Sequence, residues 1–169
     1  MYCYSFSMLR NILNAVNIEM VSNRFPPNNN TFLVINNACT VWFKEGYAPK
    51  ELEEYAIYRF DWGLSVDNIS KNTQSTNIKV SRSLNLFIKN IRLVLRDSIA
   101  SGLYKRLVSE FPEILYMPKV FKALHSFSIL DTYDMAFCDF DALLKSKKFS
   151  LKDKSKLKEI RSICERMYS

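Results

Sequence analysis

Apolar residues return every three or four positions along most of the chain, which is the spacing of one helix face. Leu9, Ile12, Leu13, Val16 and Met20 keep it and predict an amphipathic helix over residues 6–21. RFPPNNN at 24–30 breaks the pattern, because proline cannot continue a helix and asparagine favours turns. TFLVIN at 31–36 is short, apolar and β-branched. With no second clear strand to pair with, it reads as the start of a helix through Phe43. Pro49 opens the next helix, with Glu51, Glu53 and Glu54 near its positive end. Leu52, Tyr55, Ala56 and Phe60 form the buried stripe of that helix and Gly63 ends it. Ser65 can cap a short helix over 66–72, and TQSTN at 73–77 is a polar linker.

The strongest pattern follows. Leu84, Ile88, Ile91, Leu95, Ile99, Leu103 and Leu107 predict one long helix over 79–111, bent at Gly102 and stopped by Pro112. It is too apolar for an exposed rod, so it is expected to thread the core. Pro118 starts another helix, with Val120, Phe121, Leu124 and Phe127 on one face. Asp131 or Thr132 caps the next, with Met135, Cys138 and Leu143 inward. Ser150 and Asp153 stand three apart at the start of the last helix, as in a capping box. Leu157, Ile160, Cys164 and Met167 are its apolar stripe. The pattern specifies an all-α fold, a compact bundle of six to seven helices around the long helix. It is expected to be one domain over 1–169, with 1–48 as an N-terminal arm or subdomain and 79–169 as a basic part.

Composition supports a packed core: 48% of the 169 residues are hydrophobic, too many for a disordered chain. No run of 18 apolar residues occurs, so no membrane-spanning helix is expected. Cys3, Cys39, Cys138 and Cys164 contain no CxxC pair, and no secretory h-region precedes them. They read as reduced, mostly buried thiols of an intracellular protein, cytoplasmic or organellar.

Charge adds an asymmetry. The formal net charge is +7. Residues 1–78 hold six Lys/Arg against seven Asp/Glu, and the remainder holds eighteen against ten. Two stripes account for the excess. On the long helix Arg82, Lys89, Arg92 and Arg96 fall within about 80° of one another, beside the apolar face. The second stripe is the Lys-rich tail, which includes Lys152 and Lys156. Lys105, Arg106, Lys119 and Lys122 lie between them. A basic row with aromatics nearby suits a nucleic-acid backbone, because phosphates attract any cation and Phe or Tyr faces can stack unpaired bases. Arginine presents a planar fork to phosphate that lysine lacks, and three of the four long-helix residues are arginine.

Catalytic signatures are sparse. One histidine, His125, excludes a multi-histidine metal site, and it sits between Leu124 and Phe127 as a helix-surface residue. GxxxxGK[ST] and GxSxG are absent, and three glycines are too few for a phosphate cradle. Asp131, Asp134, Asp139 and Asp141 could hold a divalent cation if the chain folds sharply there. The same acids would serve equally at helix N-termini. No cofactor is implied.

Two local resemblances exist. Phe60-Asp61-Trp62-Gly63 resembles the Asn-Trp-Gly-Arg element of Bcl-2 proteins, which implies a groove for a partner helix. Leu64 stands where that element has its arginine, and the following SVDNISKNTQSTN is polar where that fold buries its central helix. Leu52-Glu53-Glu54-Tyr55-Ala56 through Gly63-Leu64 is similar to an early helix of phlebovirus-type nucleoproteins, from segmented negative-strand RNA viruses. Ser81-Arg82 through Phe111-Pro112 and Phe121 follows the later spacing of that family. This similarity covers roughly a third of the chain, carries no diagnostic motif and lacks a middle segment of the family. It implies a helical, non-enzymatic protein that holds RNA.

The leading expectation is therefore a non-catalytic RNA-binding helical protein in a larger assembly. It could be nucleocapsid-like, RNA-sequestering or an organellar ribosomal subunit. Its partners would be RNA or another nucleic acid, with protein partners or self-association and no membrane. The alternative is a helical protein-interaction module, anchored through Tyr2, Tyr4 and Phe6. A metal-dependent nuclease using the four aspartates stands third.

Overall fold

Serine and aspartate caps set several of the helix starts in the computed structural model, which describes residues 3–16, 29–99 and 104–169. The fold is all-α, and among the described residues no strand forms. The chain divides into two units, Met1–Ile99 and Ala100–Ser169.

In the first unit, helix α1 spans Phe6–Ala15, with the Ser5 hydroxyl accepting from the Met8 amide. The helix expected over 6–21 ends here, because Val16 is extended at φ −75° and ψ 159°; residues 17–21 lie outside the described residues. Helix α2, Asn29–Lys44, contains TFLVIN, so that segment is helical as expected. Helix α3, Lys50–Ala56, follows Pro49 and runs into a π-helical turn over Ile57–Asp61. Gly63, at φ 70°, ends it in a conformation that favours glycine. Helix α4, Val66–Thr73, is capped by Ser65. Gln74 then takes a left-handed conformation that lets the chain turn.

Helix α5, Asn77–Ile99, is the long helix. It ends well short of residue 111. Arg106 is extended, at φ −72° and ψ 139°, and forms an isolated antiparallel bridge with Asp131. Leu107 therefore does not continue the α5 stripe, while Leu103 and the expected bend at Gly102 lie outside the described residues. Leu107 is buried in the second unit instead.

Aromatic packing explains why α5 is central to its unit. Phe87, fully buried, meets Trp42 edge-on at 5.9 Å and stacks on Phe43 at 5.7 Å. It also meets Phe60 of the π turn at 5.9 Å. Burying side chains of this size contributes about 1.5–3 kcal/mol each. Asn36 adds a polar tie from inside the same core. Its Oδ1 accepts from the Cys3 amide at 2.9 Å and the Tyr4 amide at 3.3 Å, fixing the start of the chain to α2.

In the second unit, helix α6 spans Leu107–Glu110 and a 3-10 turn spans Pro112–Tyr116. Helix α7 is Pro118–Ser126, helix α8 Thr132–Phe137 and helix α9 Phe140–Lys145. Helix α10 is Leu151–Met167, with the Ser150 hydroxyl accepting from the Asp153 amide at 3.1 Å. Leu157, Ile160 and Cys164 carry its buried stripe, and Met167 is exposed. On α7 the buried residues are Val120, Ala123 and Leu124, while Phe127 stays exposed. Cys39 and Cys164 are buried, Cys138 is half-buried and Cys3 is exposed; all four are free thiols. No described helix is long and apolar enough to cross a membrane.

Candidate nucleic-acid interface

Helix α5 sorts its residues by angle. Val80, Leu84, Phe87, Ile91, Val94 and Leu95 are buried on one side. Ser81, Asn85, Ile88 and Arg92 recur at spacings of three and four, so they form the adjoining strip. Arg82, Lys89 and Arg96 lie just beyond it, all exposed, while Arg92 is half-buried. The expected basic row therefore exists as one edge of the helix.

Electrostatics leave most of that row unneutralised. The acids around it are engaged elsewhere: Glu51 with Lys79 at 3.3 Å, Glu53 with Lys44 at 2.9 Å and Asp67 with Lys71 at 3.1 Å. Lys71 and Asn77 hold the Asp67 carboxyl below the usual carboxylate range. Among the described residues, no carboxylate pairs with Arg82, Lys89 or Arg92.

Beside the row lies an open cavity of about 460 Å³, lined by Arg59, Phe60, Ser81, Asn85, Ile88 and Arg92, among others. The π turn supplies Arg59 and Phe60. Its wide i→i+5 spacing is seen in the Trp62 amide donating to the Ile57 carbonyl at 3.1 Å. The Phe60 carbonyl is taken by Asn11 Nδ2 at 2.7 Å, and the Asp61 carboxylate accepts from the Ser5 hydroxyl at 2.7 Å. Two contacts from around α1 thus hold the turn that carries Arg59. Arg59 Nη1 donates to the Leu64 carbonyl at 3.1 Å, which fixes the arm of this exposed guanidinium. Arg92 differs, because its Nε is buried and has no hydrogen-bond partner among the described residues.

The remaining predicted residues belong to the second unit, and they separate. Lys105 is exposed and pairs with Glu110 at 3.5 Å. Arg106 is half-buried in the bridge to Asp131. Lys119 donates to the Lys148 carbonyl at 3.1 Å, and Lys122 and Lys152 are exposed. Lys156 requires a correction. Its side chain is only 12% exposed and lies 3.4 Å from Glu113 and 3.0 Å from Glu159. It falls four residues before buried Ile160, on the same face, so it belongs to the packing of α10 and not to a phosphate-binding surface.

Two of the aspartates, Asp131 and Asp139, act as helix caps. Asp131 accepts from the Asp134 amide at 2.8 Å, Asp139 from the Ala142 amide at 3.2 Å and Asp134 from the Leu130 amide at 3.1 Å. Among the described residues, no three metal-ligating side chains gather in one place. His125 is exposed on α7, beside the Phe121 ring at 6.4 Å.

Tyr4 is not the free anchor expected of it. It is buried and donates to Glu53 at 2.7 Å. Phe6 packs on Phe32 at 4.6 Å, and Tyr2 lies outside the described residues.

Two groups went unnoticed in the sequence. One is the trio Arg59, Ser81 and Asn85, which shares the cavity with Arg92. The other is an aromatic cluster in the second unit. Tyr133 meets Tyr104 at 4.7 Å, Phe137 at 4.7 Å and Tyr168 at 5.4 Å. Tyr133 and Phe137 are 41% and 62% exposed, so the cluster reaches the surface. The four-residue spacing of Tyr133 and Phe137, opposite inward Met135, was the available signal.

No protein-family profile, curated protein or solved structure matches this chain.

Proposed function

We propose that this chain holds RNA without cleaving it, as one component of a larger assembly, a nucleocapsid-like or RNA-sequestering particle or an organellar ribosome. The observation that carries the reading is the edge of α5. Among the described residues Arg82, Lys89 and Arg92 form a row without acidic partners, while neighbouring acids are bound to other lysines. Phosphates spaced along a strand meet such a row without regard to sequence. Exposed Lys154 and Lys158 of α10 add attraction.

The test is binding of labelled single-stranded and double-stranded RNA at about 50 and 200 mM salt, with Mg²⁺ and with EDTA. If four to six phosphates are neutralised, log K falls with log salt at a slope of roughly −3 to −5. The RNA stays intact in both conditions. Affinity independent of salt would reject the reading, and cleavage confined to Mg²⁺ would return the aspartates to consideration.

A second reading rests on the Tyr104, Tyr133, Phe137 and Tyr168 cluster. Exposed aromatics gathered in one patch are common anchors of protein interfaces. On that reading Phe137→Ser abolishes association with a protein partner and leaves RNA affinity unchanged.

A further inference from the structure

We infer that the cavity beside the basic row receives an unpaired nucleobase of the bound strand, an inference that rests on the RNA-holding reading and deepens it. The first ground is Arg92, half-buried on the wall of the cavity and without an acidic partner among the described residues. Arg92 lines a space into which an acceptor can be brought to its guanidinium. Arginine only donates, so the group it takes is an acceptor, and a base supplies one as a carbonyl oxygen or an unprotonated ring nitrogen. Every nucleobase has one.

The second ground is the mixed wall. Ser81 and Asn85 can each donate and accept, whereas Phe60 and Ile88 are apolar. A flat ring with polar edges and apolar faces suits that lining. The volume, about 460 Å³, falls in the usual range of small-ligand pockets.

The third ground is position. Arg82, Lys89 and Arg96 lie on the strip next to Ser81, Asn85 and Arg92, and Arg59 stands exposed at the cavity. A backbone lying on the row brings its bases within reach of the opening. Bases of a duplex are stacked and paired, so only a single strand can offer one. The site therefore selects unpaired RNA.

Decauridylate and an abasic decamer of the same ribose-phosphate backbone separate this inference from the reading beneath it. The wild-type chain is expected to bind decauridylate about tenfold more tightly than the abasic strand, the size of one stacked or hydrogen-bonded base. Asn85→Phe fills the cavity from an exposed position, and Ser81→Phe fills it from the neighbouring turn. Both variants are expected to bind decauridylate only as tightly as the abasic strand, with the salt slope unchanged. Equal wild-type affinity for the two strands would overturn the inference and leave the phosphate row standing. So would a tenfold preference retained by both filled variants. Failure of both strands to bind would remove the inference and the RNA-holding reading together.

Discussion

In the first unit, Glu51, Glu53 and Asp67 pair with lysines outside the α5 row, leaving Arg82, Lys89 and Arg92 without acidic partners among the described residues. In the second unit ion pairs fall on the basic segments themselves, Lys105 with Glu110, Lys156 with Glu113 and Glu159, and Arg161 with Glu165, while Lys154 and Lys158 of α10 have no acidic partner among the described residues. The two sequences carry similar excess charge, eleven Lys/Arg against eight Asp/Glu and thirteen against nine. Net charge thus says little about where an anion would bind. What matters is which cations the fold leaves without a counter-ion, and whether a cavity adjoins them.

The largest test of that contrast is Lys156→Ala. It takes the Lys156 cation away from Glu113, whose side chain is 10% exposed, and breaking a buried pair costs up to about 3–5 kcal/mol. Urea unfolding followed by a probe in the second unit should show that loss. Lys156→Met with Glu113→Leu should recover most of it, because an apolar pair can replace a buried ionic one. If Lys156→Ala keeps its stability but weakens RNA binding, Lys156 belongs to the interface after all.

Next comes Asn36→Ala in the first unit. It leaves the Cys3 and Tyr4 amides without their acceptor, at a cost of about 1–3 kcal/mol. The expected consequence is faster hydrogen exchange at Tyr4, with the second unit unaffected. Unchanged exchange would mean that this segment is held by Tyr4 packing and by the Tyr4–Glu53 and Ser5–Asp61 hydrogen bonds.

Much of this fold could be read locally. Ser65, Asp131, Ser150, Pro49 and Pro118 stand at helix starts because capping and proline preferences act over three or four residues. What was illegible depends on partners far along the chain. Arg106 is held extended by Asp131, so apolar spacing alone carried the long helix too far. The π turn that positions Arg59 is supported by Asn11, 49 residues away. Lys156 finds Glu113 at a separation of 43 residues. The basic row itself was legible, because it needs only the helical period. The cavity was not, because its walls come from the π turn and α5.

A smaller effect ranks the two basic surfaces directly. Arg82→Glu with Lys89→Glu should weaken single-stranded RNA binding at least tenfold, about 1.4 kcal/mol, and flatten the salt slope by roughly 2. Lys154→Glu with Lys158→Glu, on exposed positions of α10, should cost less than half as much in free energy. Arginine grips phosphate through its fork, and the α5 row adjoins a cavity. Equal losses would mean that any exposed cation serves, and the contrast between the units would carry no functional weight.

The smallest effect concerns acid. Burial raises the Glu53 carboxyl, but hydrogen bonds from Tyr4 and Lys44 and the charge of Lys44 outweigh it, and the group ends below its ordinary value. Burial and the same carboxylate push the Tyr4 phenol up, so Tyr4 remains the donor. A carboxyl lowered in the folded state stabilises above its unfolded value, about 4.3, and loses that contribution as pH falls through the folded value. Glu53 is 28% exposed in its side chain, so solvent screening limits the contribution to about 1 kcal/mol. Glu53→Gln should therefore be less stable than wild type by that amount at neutral pH, and the gap should close below about pH 4. A gap that persists at pH 3 would assign the contribution to shape and packing, not to charge. The first unit would then hold its acids for reasons unrelated to keeping the α5 row positive.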